Sequence, residues 1–132
     1  MTSNEQRLTG IHHVQLAMPD GEDEAAIHFY GGVLGLEPVL KPDELSPRGG
    51  VWFRSGALEV HLGVEDGFQP AVKAHPAFLV VGLEELRERV EAAGYKVTDT
   101  VPIEGFERIY VRDPFGNRIE LVDRADAGFS LR

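Results

Sequence analysis

The chain has 132 residues, enough for one domain with its own hydrophobic core, and it contains no cysteine. Disulfides, thiolate metal sites and a cysteine nucleophile are therefore excluded, and a reducing, cytoplasmic location is the expectation. The net charge of −9 would repel phosphate backbones and anionic lipids, so neither nucleic acid nor a membrane surface is an expected partner. We also expect no export signal and no membrane span, because no long apolar run occurs.

Hydrophobic periodicity and turn residues predict the same order of elements twice along the chain. The first half is predicted to contain strand 11–18, helix 22–34 and strands 36–40, 50–54 and 57–63. The second half is predicted to contain strand 75–81, helix 83–93 and strands 95–101, 107–112 and 117–123. We therefore predict a single domain, residues 9–123, made of two βαβββ modules, 9–63 and 75–123. Residues 64–74 form the predicted linker, and residues 124–132 a loosely held tail.

The two halves align with a nearly constant offset. Placing His13 on His75 requires a shift of 62 residues, and placing His61 on Glu120 requires a shift of 59. Such a small drift over half the chain indicates an internal duplication.

Strand alternation predicts where these four side chains point. In the predicted strands 11–18, 57–63 and 117–123, apolar residues occupy alternate positions and share the face that a helix can cover. His13, His61, His75 and Glu120 fall on the opposite face. When helices cover only one face of a sheet, the other face either curves around a cavity or is exposed to solvent. The sequence therefore predicts an α+β fold, a curved and mostly antiparallel sheet cup with helices on its outer face.

Three segments together form a recognisable pattern: IHHVQL at 11–16, LGL at 34–36 and DPFGNRIEL at 113–121. They resemble the vicinal oxygen chelate superfamily, which includes glyoxalase I, fosfomycin-resistance transferases, bleomycin-binding proteins and extradiol dioxygenases. The resemblance implies that His13, His75 and Glu120 correspond to the metal ligands of the family, and that His61 occupies the fourth position. Glyoxalase I usually carries Glu or Gln at that fourth position, so the histidine departs from its pattern.

The chemistry of these side chains is that of a divalent metal site. Imidazole and carboxylate suit Fe, Ni, Zn, Mn and Co, and two histidines with one carboxylate form the non-haem iron arrangement. We expect one divalent ion, held by His13, His61, His75 and Glu120. Glu120 and His61 are also the candidate catalytic residues.

Other side chains on the same faces have two interpretations. Trp52 and Tyr110 occupy matched strand positions and are candidates to line the pocket of a small-molecule substrate, although aromatic residues in strands more often pack in the core. Glu59 shares a face with His61 and could act as a base, but a solvated carboxylate, or one paired with Arg118, is the favoured interpretation.

Three functions remain open at the level of the sequence. The preferred one is a glyoxalase-like enzyme in which the metal acts as a Lewis acid, of lyase or isomerase type, because four protein ligands leave few open positions. An extradiol-type dioxygenase is the alternative if His61 lies away from the metal. A metal-free, bleomycin-resistance-like protein that binds a basic drug is the third. The resemblance implies that modules pair within a chain or across a two-fold axis, and we expect a homodimer.

Overall fold

The computed structural model describes residues 5–42, 44, 47, 49–101 and 106–124. Within them, the elements follow the order βαβββ twice. The strands of the first half are β1 (Val14–Met18), β2 (Glu37–Val39), β3 (Val51–Ser55) and β4 (Leu58–Val64). Those of the second half are β5 (Ala77–Val80), β6 (Val97–Asp99), β7 (Arg108–Arg112) and β8 (Arg118–Asp123). Of the predicted tail, 124–132, only Arg124 lies in the described part of the chain.

The first helical segment begins as α1 (Asp23–Ala26) and widens into a π-helical segment (Ile27–Val33). The predicted helix over 22–34 is therefore present, but most of it is π-helical. The Leu34 N–H donates to the Phe29 carbonyl, five residues back, at 2.9 Å. A Gly-Gly pair in this turn favours the distortion, because glycine stabilises a regular helix poorly. The wide turn buries the rings of Phe29 and Tyr30 completely.

Each module forms one four-stranded sheet, with strand orders β1-β4-β3-β2 and β5-β8-β7-β6. In both sheets the first strand runs parallel to the fourth, while the other two pairs are antiparallel. The π-helical segment and helix α2 (Leu83–Ala92) contribute buried residues to the same core as the sheets. The predicted α+β fold of two βαβββ modules is confirmed.

A buried hydrogen-bond network connects the two modules through Asp113, which follows β7. The Tyr30 hydroxyl donates to Asp113 Oδ2 at 2.6 Å, and the Asn117 backbone N–H donates to Oδ1 at 2.8 Å. The Asn117 amide donates both to Asp113 Oδ2 and to the Ala17 carbonyl of β1, at 2.8 Å each. Burial and the neighbouring Asp113 raise the pKa of Tyr30 well above its usual value, so the phenol remains a donor. The network thereby sets the start of β8 against the end of β1.

Removal of the Asp113 carboxylate should destabilise the fold. We expect Asp113→Ala to lower the free energy of unfolding by about 3 kcal/mol, because the Tyr30 hydroxyl and the Asn117 amide would remain buried without their acceptor. Tyr30→Phe should cost less, since it removes one donor only. Urea denaturation, with the exposed Asp66→Ala as the matched control, measures the difference. Equal stability of Asp113→Ala and Asp66→Ala would contradict the structural role of the network.

Candidate functional site

The face of each sheet that points away from the core presents polar side chains at matched positions. In the first sheet, β3 places Trp52 directly opposite His61 on β4. In the second, β7 places Tyr110 directly opposite Glu120 on β8. His61 and Glu120 therefore hold equivalent places in the two sheets, as the repeat predicts.

The His61 imidazole is held between two other rings. The Trp52 indole stacks on one side at 3.9 Å between ring centroids, and the His13 imidazole stacks on the other at 4.2 Å. Nε2 of His61 lies 3.1 Å from Oε1 of Glu59. A carboxylate only accepts hydrogen bonds, so Nε2 carries the proton of the neutral ring. Nδ1 is then the nitrogen with a free lone pair, which is the atom that can bind a metal.

The pKa shifts around His61 favour this neutral form. Burial lowers the pKa of His61, and the opposing hydrogen bond to Glu59 does not restore it. The same hydrogen bond lowers the pKa of Glu59. At neutral pH the structure therefore pairs a neutral imidazole with an ionised carboxylate, and neutral imidazole is the form that binds metals.

Acidification should destabilise the protein through His61. Its pKa is lower in the folded than in the unfolded chain, so the unfolded chain takes up this proton first as the pH falls. The contribution to stability is complete above the unfolded value of about 6.5 and is lost below it, toward the folded pKa. Urea titrations between about pH 7.5 and 5 should show a shallower loss in His61→Gln than in wild type. His28→Gln, at an exposed position, should keep the wild-type slope, and a shared slope in all three would contradict the assignment.

The second half of the predicted site is a histidine–carboxylate pair. Nε2 of His75 lies 3.0 Å from Oε1 of Glu120, and Nδ1 of the same ring lies 2.8 Å from the Lys73 carbonyl. Metal-binding histidines commonly donate their second N–H to such a carbonyl, which fixes the other nitrogen as the ligand. Nε2 and Oε1 therefore converge at 3.0 Å, and a divalent cation between them would have both atoms as ligands.

Two arginines surround this pair. Arg108 donates to Oε2 of Glu120 at 3.0 Å and to the Tyr110 hydroxyl at 3.2 Å. Burial acts against the charge of Arg108, yet these two partners raise its pKa above the usual value. The Arg118 guanidinium lies over the Tyr110 ring, 3.9 Å from its centroid. Sequence reasoning missed Arg108, although strand alternation could have found it, since it lies two residues before Tyr110 on β7.

The four predicted ligands form two pairs within one chain. His13 and His61 stack in the first sheet, and His75 and Glu120 bond in the second. Among the described residues, no three His, Asp or Glu side chains are arranged to hold a metal ion. His13 lines a cleft of about 390 Å³ and His75 a second cleft of about 470 Å³, with Pro76 on the wall of both. The four-ligand site thus stays a prediction. The pair His13–His61 and the pair His75–Glu120 are called the first and second half-sites below.

The sequence also predicts roles for two aromatic residues and for Glu59 on these faces. Trp52 and Tyr110 lie on the faces of the two half-sites, and their role as pocket residues stays a prediction. The suggested pairing of Glu59 with Arg118 is wrong for the single chain, because Glu59 bonds to His61 while Arg118 stacks on Tyr110.

Comparisons with known proteins identify the family. The model of the Glyoxalase/Bleomycin resistance protein/Dioxygenase superfamily matches residues 10–121. A crystal structure of a glyoxalase family protein from Bacillus anthracis shares 45% identity with a TM-score of 0.86, covering 90% of this chain and 98% of that one. Lactoylglutathione lyase from Agrobacterium tumefaciens shares 28% identity with a TM-score of 0.70, covering 93% and 99%. The fosfomycin resistance protein FosX from Listeria monocytogenes, at 20% identity, TM-score 0.70 and 88% and 93% coverage, is similar in fold.

The chain therefore belongs to this superfamily, the vicinal oxygen chelate superfamily that the sequence motifs resemble. A search of curated proteins gives no match. Within the described residues, no helix is long and apolar enough to span a bilayer.

Proposed function

We propose that this protein is a metal-dependent, glyoxalase-type enzyme, a lyase or isomerase that acts on a small oxygen-bearing substrate. The observation that carries the proposal is the His75–Glu120 pair, in which the Lys73 carbonyl orients the imidazole and leaves Nε2 facing the carboxylate at 3.0 Å. His61 offers Nδ1 at the equivalent place in the first sheet. The similarity to lactoylglutathione lyase from Agrobacterium tumefaciens supports this reaction class.

The donor set fits a divalent ion of the Fe, Ni, Zn, Mn or Co type, because imidazole nitrogen and carboxylate oxygen suit these metals. His13, His61, His75 and Glu120 would hold it. When bound, such an ion supplies Lewis-acid polarisation of substrate oxygens.

The protein side chains around the half-sites have separate tasks. Arg108 holds Oε2 of Glu120 and leaves Oε1 directed at His75. Glu120, one of the two candidate catalytic residues, would be the carboxylate that accepts a proton from the substrate. In the first sheet, Trp52 restricts His61 by stacking on it, so that imidazole loses little freedom when it binds.

We further propose that the protein acts as a homodimer. The half-sites of one chain are separate pairs, and each needs the complementary pair to reach four ligands. A two-fold axis would bring His13 and His61 of one chain to His75 and Glu120 of the partner subunit, and the reverse, making two equivalent sites.

The test uses protein purified without an affinity tag, stripped with a chelator and reloaded separately with Fe(II), Ni, Co, Mn or Zn. We expect about one ion per chain for at least one metal, and anaerobic turnover of a 2-oxoaldehyde hemithioacetal that depends on it. Protein that stays empty with all five metals would overturn the proposal. Oxygen uptake with a catechol, together with retention of metal in His61→Ala, would establish the dioxygenase alternative instead.

A further inference from the structure

We infer that the second sheet binds an anionic group of the substrate, a carboxylate or a phosphonate, through the guanidinium of Arg118. The inference rests on the proposed function, because it takes the face that carries Glu120 as the substrate side. It adds the substrate class, a small organic anion, which neither the fold nor the family match specifies.

The charge of this face differs from that of the whole protein. Arg108 and Arg112 on β7 and Arg118 on β8 share the face with a single strand carboxylate, Glu120. The chain as a whole carries a net charge of −9. A local excess of guanidinium groups in an acidic protein would draw an anion toward this face.

Within the described residues, Arg118 is the one of these three arginines that has no polar protein partner. Arg108 bonds to Glu120, and Arg112 donates to the Gly116 carbonyl at 3.0 Å. In the part of the chain that the structure describes, Arg118 has no carboxylate within ion-pair distance, and its guanidinium contacts the Tyr110 ring. A half-buried guanidinium retains donors for an anion, and its planar fork matches carboxylate and phosphonate oxygens.

The internal repeat shows that this charge is specific to the second half-site. Arg118 is the equivalent of Glu59, at the same offset of 59 residues that relates Glu120 to His61. Glu59 bonds to the histidine of its own half-site, whereas the Arg118 guanidinium lies over the Tyr110 ring. The two half-sites therefore present opposite charges at matched positions.

Arg118 is also well placed to act together with the candidate metal ligands. It lines the same cleft of about 470 Å³ as His75, and the wall of that cleft carries one carboxylate, Glu65. It precedes Glu120 by two residues on β8, a backbone separation of about 7 Å on the same face. A small substrate in this cleft could therefore direct a reacting oxygen to His75, which bonds to Glu120, while its anionic group contacts Arg118.

The experiment measures anion binding to metal-free protein, so that it does not depend on metal binding or turnover. Glycolate and methylphosphonate are titrated into chelator-treated protein, and backbone NMR shifts of β7 and β8 are followed. Ethylene glycol serves as the neutral counterpart of glycolate. We expect at least one anion to shift these amides, and Arg118→Gln to weaken that binding about tenfold or more. Arg118→Lys should retain part of the affinity, and Arg89→Gln, on the exposed side of α2, should retain all of it.

The outcomes separate the possible sources of the effect. Preference for glycolate or for methylphosphonate identifies the anionic group, and either preference supports the inference. Wild-type protein that binds neither anion would overturn it, as would equal shifts with ethylene glycol or an unchanged affinity in Arg118→Gln. If anions bind but no metal does, the proposed function is overturned and the anion site is supported. If a metal binds but no anion does, only the anion site is overturned.

Discussion

Glu120→Ala should lose its divalent metal. The substitution removes the only carboxylate among the four predicted ligands and leaves His75 and Arg108 without their shared acceptor. Loss of a partner that merely orients a ligand weakens metal binding by roughly 10- to 100-fold, so loss of the ligand itself should exceed that range. Metal content after equilibrium dialysis against a competing chelator measures the change.

Graded variants distinguish coordination from folding. Glu120→Gln keeps an oxygen toward Arg108 but removes the charge, so it should fold like the wild type and still bind metal poorly. His75→Ala should lose metal as Glu120→Ala does. Glu91→Ala and His28→Ala, at exposed positions, are the matched controls and should bind like the wild type. Full metal occupancy in a folded Glu120→Ala would exclude this carboxylate as a ligand.

A variant at Arg108 tests whether the second sheet positions its carboxylate. Arg108→Gln keeps Glu120 but removes the guanidinium that holds Oε2. We expect metal affinity to fall within the roughly 10- to 100-fold range for a partner that orients a ligand, and less than in Glu120→Ala. An unchanged affinity would show that Glu120 needs no such support.

The features that sequence could predict are those that depend on short-range alternation. Each strand's apolar face is encoded every second residue, so the faces of His61 and Glu120 follow directly from sequence. The duplicated order of elements then fixes which residues are equivalent. The register of each hairpin then determines the cross-strand neighbours, which are Trp52 opposite His61 and Tyr110 opposite Glu120.

The features that sequence missed depend on contacts between distant segments. The bond between Tyr30 and Asp113 spans 83 residues and crosses the two modules, and no local pattern encodes it. The π-helical segment is a second feature of this kind. Tyr30 lies in this segment, and its hydroxyl bonds to the distant Asp113. Likewise, whether His13 and His61 meet His75 and Glu120 depends on how modules pair, which strand alternation within each module does not determine.

Complementation between two inactive variants should show whether the half-sites meet across a dimer. One chain carries His13→Ala and His61→Gln, which disable the first half-site. The other carries His75→Ala and Glu120→Gln, which disable the second. In each double variant alone, every site would contain one disabled half-site, whether the site lies within one chain or between two identical chains. Neither double variant alone should therefore bind metal. Different affinity tags, cleaved before metal analysis, allow the mixed dimer to be isolated after joint refolding or co-expression.

In a dimer with shared sites, one site of the mixed species combines both defective halves, and the other combines both intact halves. We therefore expect the mixed dimer to bind about one ion, half the wild-type amount, and to regain activity in proportion. If each chain built its own site, both sites would contain a defect and the mixed dimer would stay empty. Light scattering that shows only monomer over a wide concentration range would refute the shared site independently. Because the outcome is the presence or absence of a metal ion, it does not depend on knowing the substrate.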